Sequence, residues 1–574
     1  MNEFTPDRWQ AVPEAAPETP VSETVKPGAR KPADGLPLLL TLGLALLAYL
    51  LTRGTLLTRN TGSLGLNMPL LTGTLACSVL LALRLRQVPV QPAALALLAL
   101  GLACAVGLAL RDGALMSGLN LLGLFAAVGI GAGYLRFPGL TRLSVGGVLL
   151  AALWAWIRGV YGMLASALRF PWARLNALRR SGRRFQTAQT RRVLTGLLLT
   201  LPPLLVFGWL LSGADPHFGA LISRLFDWKL PDWNLHDLTF ALVQLTLWAL
   251  LLGGPVYAAL LAGRAAPQLQ AEYAPTLGLT ELGIPLISVS ALFCAYLLVQ
   301  AEPLFRHTLA AGILYSDYVR RGFGELTAVA ALTLVVLLLA HTLLRRDLRT
   351  TLAYRLISAA VLLPLALLIA SAYHRLELYV SAYGLSEVRV LGGVFLAWVV
   401  LSLLAYTVLL WRNGLERFAY FSLVSGLALI VGLNGLNPGR LIANVNLSRT
   451  LDTQTETGGW LAGGVGRTGI RSVRPPIQTL LEIARLGPDA LPTLLDWINR
   501  NGETDLLREQ KPTHDSLACV LDRRNWSDIH ADWRVWNLAR SRARQLTGQL
   551  EALNPGLLRE DCLGFSEDEN DFWW

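Results

Sequence analysis

The chain has 574 residues, of which 53% are hydrophobic and only 16% are charged, and its mean hydropathy is +0.46. Soluble domains carry about 25% charged residues, so this composition is hard to reconcile with a water-soluble protein. The net charge is +11, and lysine occurs only at Lys26, Lys31, Lys229 and Lys511, so the basic excess is nearly all arginine. Arginines that flank apolar runs orient membrane proteins. We therefore interpret the excess as a topology signal, and we predict no nucleic-acid partner and no cofactor.

The apolar residues come in blocks and not in periodic stripes. They follow residues 1–35, which are rich in Pro, Glu, Ala and Thr and are predicted to be disordered and cytoplasmic. Blocks of about 20 apolar residues match the roughly 30 Å hydrocarbon core of a bilayer. The predicted fold is all-α, with a polytopic transmembrane bundle of about 11–13 helices and a small, mostly helical soluble tail. The blocks lie at 36–52, 67–83, 92–110, 114–135, 143–168, 193–213, 237–262, 279–301, 323–344, 351–373, 388–411 and 418–434.

The fifth block, 143–168, is the weakest candidate for a membrane span. Arg158 interrupts it, and an arginine at the centre of a spanning helix costs about 2.5–3.5 kcal/mol on insertion scales. Trp154, Trp156 and Tyr161 suit the level of the lipid headgroups. We therefore favour an interfacial or half-inserted helix here. The alternative of a spanning helix packed against partners stays open.

The segment 169–192 orients the bundle, because it contains eight arginines and no acid. The positive-inside bias makes such a segment cytoplasmic. If the fifth block does not cross, the N-terminus is cytoplasmic; if the block crosses, the N-terminus faces out. The C-terminal tail is extracytoplasmic in either case, and the predicted location is the inner (plasma) membrane. The predicted domains are the disordered segment 1–35, an N-terminal transmembrane bundle 36–168, the loop 169–192, a C-terminal transmembrane bundle 193–434 and a soluble tail 435–574.

The tail contains short helical patterns after the break at 434–439. Residues 453–476 are rich in Gly, Thr and Arg and predict a loop. Residues 477–500 predict two short helices divided by Gly487–Pro488, since proline suits the first turn of a helix. Residues 533–553 predict an amphipathic helix.

Two further features of the tail bear on its partners. Cys519 and Cys562 are predicted to form a disulfide if the tail faces an oxidising compartment. Tryptophans of the tail could anchor an envelope protein or ligand, or they could instead form the small core of the tail. These tryptophans are Trp460, Trp497, Trp526, Trp533, Trp536, Trp573 and Trp574.

The chain lacks HExxH, GxSxG and EF-hand patterns, so no catalytic residue and no metal ligand is predicted. Ionisable residues instead gather at the predicted outer ends of the blocks between 193 and 434. Charges at membrane depth are functional candidates by default, but ion pairs that lock helices together would place the same residues there. Both interpretations stay open. The candidate cluster consists of Asp215, Glu302, Asp317, Arg320, Arg321, Glu325, Arg375, Glu377, Tyr383 and Glu387.

The same region carries a family resemblance in seven segments that occur in order. They are LLSGADPHF (210–218), GLTELGIPLISVSALFCAYLLVQAEPLF (278–305), YSDYVRRGFGELTAVAAL (315–332), SAYHRLELYVSAYGLSEVRV (371–390), NPGRLIANVNLSR (437–449), LGPDALPTLL (486–495) and DWRVWNLARSRA (532–543). Together they resemble the bacterial membrane-protein family catalogued as domain of unknown function 4173, a relative of the 4153 group. The resemblance covers 190–545, with mild departures at Ser386 and Gly439. It implies a membrane location and brings no established activity.

Three functions of different classes fit these features. The leading hypothesis is an envelope sensing or assembly protein whose tail and outer loops bind a partner. The alternative is a transporter or channel for a small solute or ion that uses the polar cluster. The third is a membrane enzyme that acts on a lipid-linked substrate through acids of that cluster.

Overall fold

The computed structural model of the protein contains only helices as regular elements in the part of the chain that it describes. The one strand-like contact there is an isolated bridge between Leu277 and Leu344. The predicted all-α fold is therefore confirmed. The described residues are 35–53, 64–136, 139–142, 146–148, 153–154, 156–167, 235–261, 277–306, 315–457, 476–501 and 533–553.

The membrane-spanning character is confirmed by ten apolar helices among the described residues. The first, α1 (Leu36–Thr52), is short at 17 residues, and nine further helices are long and apolar enough to cross a membrane. The sixth predicted block, 193–213, lies outside the described residues. The nine are α2 (Asn67–Leu85), α3 (Pro92–Leu110), α4 (Ala114–Tyr134), α5 (Leu235–Leu261), α6 (Leu279–Arg306), α7 (Tyr315–Leu343), α8 (Leu352–Tyr383), α9 (Glu387–Trp411) and α10 (Phe418–Leu436).

Four helices beyond α10 share a small apolar core, and we call them the C-terminal module. They are α11 (Pro438–Thr457), α12 (Pro476–Arg485), α13 (Leu491–Asn501) and α14 (Leu538–Leu553). Leu447, Leu480, Leu494 and Ala543 bring one residue from each of these helices to the core. The two short helices predicted around Gly487 are present, and Gly487 has a φ of +96° that favours glycine.

Two details of the module differ from the prediction. Helix α11 follows α10 after the single residue Asn437 and continues to Thr457, into the predicted loop. Helix α14 begins at Leu538 and not at residue 533, because Asn537 caps it: its Oδ1 accepts hydrogen bonds from the backbone N–H of Ala539 at 2.9 Å and of Arg540 at 3.3 Å.

Consecutive spanning helices run in opposite directions except α4 and α5, which both end on the side where Arg136 meets Leu260. The connections of the other pairs therefore lie alternately on two faces of the bundle. The α3–α4 turn, the α8–α9 turn and the end of α10 lie on the face where the module docks, which we call the tail face. On the opposite face, Arg136 Nη1 donates to the carbonyl of Leu260 at 2.9 Å. Arg142 there pairs with Glu416 at 3.5 Å. We call this arginine-rich side the basic face.

The spanning helices pack as two sets that do not follow chain order. The first apolar core is built by α1 to α4 together with α5 and α10. The second is built by α6 to α9. Helices α9 and α10 join the two sets: Trp398 Nε1 donates to the carbonyl of Ser422 at 3.1 Å, and the ring of Tyr406 meets that of Phe418 edge-on. The tail-face ends of both sets therefore lie within reach of one module.

Three helices of the second set continue past their apolar blocks on the tail face. Helix α6 ends at Arg306, α7 begins at Tyr315 and α8 ends at Tyr383. Hydropathy marks where the hydrocarbon region ends, whereas the backbone hydrogen bonds of a helix continue until a breaker intervenes. For α8 that breaker is Gly384, which has a φ of +77°. Much of the predicted polar cluster lies on these extensions.

The described part of the fifth block contacts α5. Residues 156–167 form a helix in which Gly159 meets the backbone of Gly254, and a Cβ on Gly162 would lie 3.2 Å from the ring of Tyr257. Small residues permit such a close approach of two helices. Tyr161 on the same helix is 71% exposed, so one side packs on the bundle while the other faces outward.

Candidate functional site

The turn between α3 and α4 places two opposite charges side by side at the tail face. Helix α3 ends at Leu110, Arg111 is extended, and α4 begins after Gly113. Only three residues connect the helices, so Arg111 and Asp112 are held close to the membrane boundary. Each of them pairs with a different part of the C-terminal module. We call this group, completed by Asp489, Asn537 and Arg540, the tail-face junction.

Arg111 pairs with Asp489, which precedes α13. Arg111 Nη1 lies 3.1 Å from Asp489 Oδ1, and the two side chains are only 14% and 8% exposed. The other carboxylate oxygen of Asp489 accepts a hydrogen bond from the backbone N–H of Asp112 at 3.1 Å. Arg111 Nε donates to the carbonyl of Asn434, at the end of α10, at 2.7 Å. One arginine therefore joins α3, α10 and the module.

Asp112 pairs with Arg540 in the first turn of α14. Asp112 Oδ1 lies 3.1 Å from Arg540 Nε, and the arginine side chain is 5% exposed. The same guanidinium donates to the carbonyl of Leu64, before α2. Burial lowers the pKa of Arg540, and the Asp112 carboxylate opposes that shift because it favours the charged guanidinium. The second ion pair thus fixes α14 to the same turn that fixes α13.

Residues before α14 supply donors to the ends of membrane helices. Asn537 Nδ2 donates to the carbonyls of Leu108 and Arg111, both at 2.9 Å. Arg534 Nη1 donates to the carbonyl of Leu50, in the last turn of α1, at 2.6 Å. The last carbonyls of a helix have no partner within the helix. The module therefore caps α1 and α3 from outside.

A buried amide pair supports the junction from below. Asn120 of α4 and Asn434 of α10 exchange two hydrogen bonds of 2.9 and 2.8 Å. A Cβ on Gly107 of α3 would lie 2.7 Å from these amides, so only glycine leaves room for them. The pair joins α4 to α10 and packs against α3 below the charged residues.

The α8–α9 turn on the same face is held in a similar way by α11. The Asn446 side chain exchanges hydrogen bonds with the backbone of Leu385 at 2.7 and 2.8 Å. Arg449 donates to carbonyls at the end of α8. Arg389 donates to the carbonyls of Tyr383 and Gly384, with its guanidinium carbon 4.1 Å from the centre of the Tyr379 ring. Both bundle sets are thereby attached to the module.

The predicted polar cluster is only partly brought together. Arg375 is buried at 6% exposure, whereas Glu325 and Glu377 are exposed, and Glu377 lies 4.0 Å from His374. Glu387 reaches the tail-face junction, since its Oε1 would lie 3.6 Å from a Cβ on Gly113.

The remaining predicted residues divide into three groups. The carbonyl of Tyr383 accepts the hydrogen bond from Arg389. Four others lie on the helical ends of α6 and α7, at positions whose side chains fall outside the described set: Glu302, Asp317, Arg320 and Arg321. Outside the described residues altogether lie Asp215 and the predicted disulfide pair, Cys519 and Cys562.

Sequence reasoning did not single out the residues that form the junction. Arg111 and Asp112 stand in a short connector between two spans, and Asp489, Asn537 and Arg540 stand in the tail. A signal was nevertheless present, because the segments 486–495 and 532–543 both belong to the family-like motifs and contain the three tail residues. Arg111, Asp112, Asp489 and Arg540 form two ion pairs, which join the α3–α4 turn to two different parts of the module.

Comparison with known proteins identifies a family for the chain. No curated protein and no solved structure matches the chain. The family model described as a domain of unknown function, DUF4153, matches residues 93–494. The related label 4173 expected from the motifs is not confirmed, and the match begins in α3, well before residue 190. It includes Arg111, Asp112 and Asp489 of the junction. Because the matched part is more than half of the chain, the protein belongs to the DUF4153 family.

Proposed function

We propose that the protein is an envelope assembly or sensing protein of the inner membrane. In this proposal the bundle holds the C-terminal module in one orientation on the extracytoplasmic side, and the module binds an envelope partner. The single observation that carries the proposal is the tail-face junction, where consecutive residues of one turn form separate ion pairs with Asp489 and Arg540.

The energetics of the junction favour an orienting role. Removing two charges from water carries a desolvation penalty that mutual attraction only partly offsets, so buried ion pairs are poor sources of stability. Their better-attested use is to specify one arrangement among several. A module that only needed attachment could rely on the covalent link through Asn437. Two buried pairs from one turn instead fix both its rotation and its distance from the bundle.

The distribution of arginine supports the proposed sidedness. Arginines at the cytoplasmic ends of spans set orientation, and the basic face carries many of them near its connections. A reporter that is active only in the cytoplasm, fused after Leu553, should be inactive, and the same reporter inserted in the connection 412–417 should be active. The opposite pattern would place the module inside. The arginines are Arg84, Arg86, Arg136, Arg142, Arg345, Arg346, Arg349, Arg412 and Arg417.

Partner binding is tested by photo-crosslinking in intact cells. A photo-reactive amino acid is placed at Arg542 or Gln545, two exposed positions of α14. The proposal expects a discrete adduct with one envelope protein in the otherwise wild-type chain. Asp489→Asn should abolish it, because the module loses its orientation. Asp496→Asn is the matched control, since Asp496 is in the same module but its pair with Arg500 is exposed.

Two outcomes contradict the proposal. One is the absence of a discrete adduct from both positions while the protein accumulates normally in the membrane. The other is an adduct that persists unchanged in Asp489→Asn, which would show that binding does not depend on the junction. Membrane levels of each variant, measured by immunoblot, separate these outcomes from a simple loss of protein.

A transporter is the second candidate, and one observation favours it. Arg375 is 6% exposed and lies near the tail-face end of the candidate span Leu352–Ser381 of α8. A buried charge in a spanning helix commonly marks a solute or ion pathway. If the protein transports an ion, Arg375→Gln should abolish a flux that liposomes with the wild-type protein display. Equal leakage from both sets of liposomes would reject transport through this residue.

A further inference from the structure

The segment just before α14 presents two large aromatic side chains outward. Trp533 is 60% exposed and begins the short helix Trp533–Val535, and Trp536, which follows it, is 40% exposed. Large apolar side chains of a soluble module are usually turned into its core. Here the core of the module is formed without them, so their exposure calls for a separate explanation.

Three contacts fix the height of these tryptophans relative to the bundle. Arg534, between them, donates to the carbonyl of Leu50, two residues before the end of α1. The carbonyl of Trp536 accepts a hydrogen bond from the N–H of Leu66 at 3.1 Å, one residue before α2. A Cβ on Gly65 would lie 2.5 Å from the carbonyl carbon of Val535, so the backbones touch there. The segment lies at the boundary of the α1 and α2 spans.

The helices beside the segment also present apolar side chains outward. Leu46 and Leu50 of α1 are 51% and 50% exposed, and Leu70 of α2 is 41% exposed. In a spanning helix such residues face lipid. The exposed tryptophans therefore stand beside the ends of two helices whose exposed leucines are suited to face lipid.

We propose that Trp533 and Trp536 insert into the headgroup region of the bilayer on the tail face, and that a phospholipid surface is their partner. Tryptophan suits this depth because its apolar ring enters the acyl boundary while its N–H remains in the polar layer. The chain leaves the membrane at Asn437 and would return to its surface at residue 533. The C-terminal module would thus contact lipid directly, besides its contacts with the bundle. This inference does not depend on the function proposed above.

Site-specific photo-crosslinking in nanodiscs tests the proposal with the full-length protein. A diazirine-bearing amino acid replaces Trp533 or, in a second variant, Trp536, and the adducts are identified by mass spectrometry after irradiation. The expected result is a phospholipid adduct at both positions. Leu39 of α1, 61% exposed, is the positive control. Gln545, on the exposed side of α14, is the negative control and should give no lipid adduct.

The opposite result is equally distinct. If no lipid adduct forms at either tryptophan position while Leu39 is still labelled, the proposal is overturned. Adducts to another segment of this chain or to a second copy would show that protein covers the aromatic patch and would overturn it as well. Replacement of a side chain as exposed as Trp533 removes few contacts. A monodisperse profile on size exclusion verifies that each variant is folded.

Discussion

Asp489→Asn is the sharpest perturbation of the tail-face junction, because it removes one charge and keeps the shape of the side chain. The change leaves the buried guanidinium of Arg111 without its carboxylate partner, although the carbonyl of Asn434 still accepts from it. Breaking a buried ion pair by removing one partner costs about 3–5 kcal/mol. The asparagine retains one oxygen for the N–H of Asp112, so we expect a loss of about 2–3 kcal/mol in the free energy of docking.

Hydrogen–deuterium exchange measures that loss directly, since the amide of Asp112 donates to Asp489 and exchanges when the module undocks. Because about 1.4 kcal/mol corresponds to a tenfold change in an equilibrium constant, exchange in the α3–α4 turn should accelerate about 30- to 150-fold. Asp496→Asn in the same module is the control. It removes an exposed i,i+4 pair, for which about 0.3–0.5 kcal/mol is typical.

A double-mutant cycle with Arg111→Gln then separates the pair from unrelated effects. If the two charges act on each other, the double variant should be clearly less destabilised than the sum of the single variants. Strictly additive losses, or equal acceleration of exchange by Asp489→Asn and Asp496→Asn, would refute the assignment of the junction as the element that orients the module.

Three further predictions concern other parts of the structure. Gly107→Ala should lower the thermal stability of the bundle in detergent, because its Cβ would lie 2.7 Å from the Asn434 amide; an unchanged melting temperature would contradict that packing. Asn537→Asp keeps the acceptor that caps α14 but loses the donor to the carbonyls of α3, and should weaken docking of the module by about 1–3 kcal/mol. Hydrogen–deuterium exchange in the α3–α4 turn measures this change. Exchange that is not accelerated there would count against capping of α3 by the module. The pKa of the exposed Asp347 is lowered by its hydrogen bond from Arg345, so its small stabilising contribution is present above pH 3.8 and is lost as the pH falls through the lowered pKa. Arg345→Gln should return that pKa toward 3.8 in an NMR titration, and an unchanged value would disprove the pairing.

The bounds of a membrane helix could be predicted well where the apolar block and the helix begin and end at the same residues. Helix α3 begins at Pro92 and ends before Arg111, so its bounds match the predicted block 92–110. Helices α6 and α8 extend beyond the predicted apolar blocks because polar residues continue those helices past the apolar region. The apolar composition of a segment indicates which residues lie in the hydrocarbon region. The end of the helix is instead indicated by helix-terminating residues such as Gly384.

The candidate site was harder to predict because its partners are distant in sequence. Arg111 and Asp489 are 378 residues apart, and nothing in the local sequence of either indicates the other. The predicted cluster was selected as ionisable residues near the ends of spans. Glu387 meets this criterion, and so do Arg111 and Asp112, although they were not included in the cluster. The connector between α3 and α4 consists of only three residues. Its shortness is the physical reason for its role, since a three-residue turn holds two charges rigidly.

Arginines near helix ends can orient a span in the membrane and can also cap helix carbonyls. Separating these two roles bears on which side of the membrane the module occupies. On the basic face Arg349 donates to the carbonyls of Thr342 and Leu344 at the end of α7. On the tail face Arg111 and Arg449 do the same for α10 and α8. A cation is favoured at a helix C-terminus, and the planar guanidinium reaches two carbonyls where a lysine offers a single point charge. All four lysines lie outside the described residues, and the side chains that donate to these helix-end carbonyls belong to arginine and asparagine.

Two of the tail-face arginines take part in ion pairs of the junction. Arg111 is neutralised by Asp489 and bound to a carbonyl, and Arg540 is neutralised by Asp112. The positive-inside bias concerns the charge that short loops present near the ends of spans. The basic face adds a run of such charge in 344–351, with Arg345, Arg346 and Arg349 against the single acid Asp347. The arginines of these short basic-face connections thus support the proposed sidedness, in which the module lies outside.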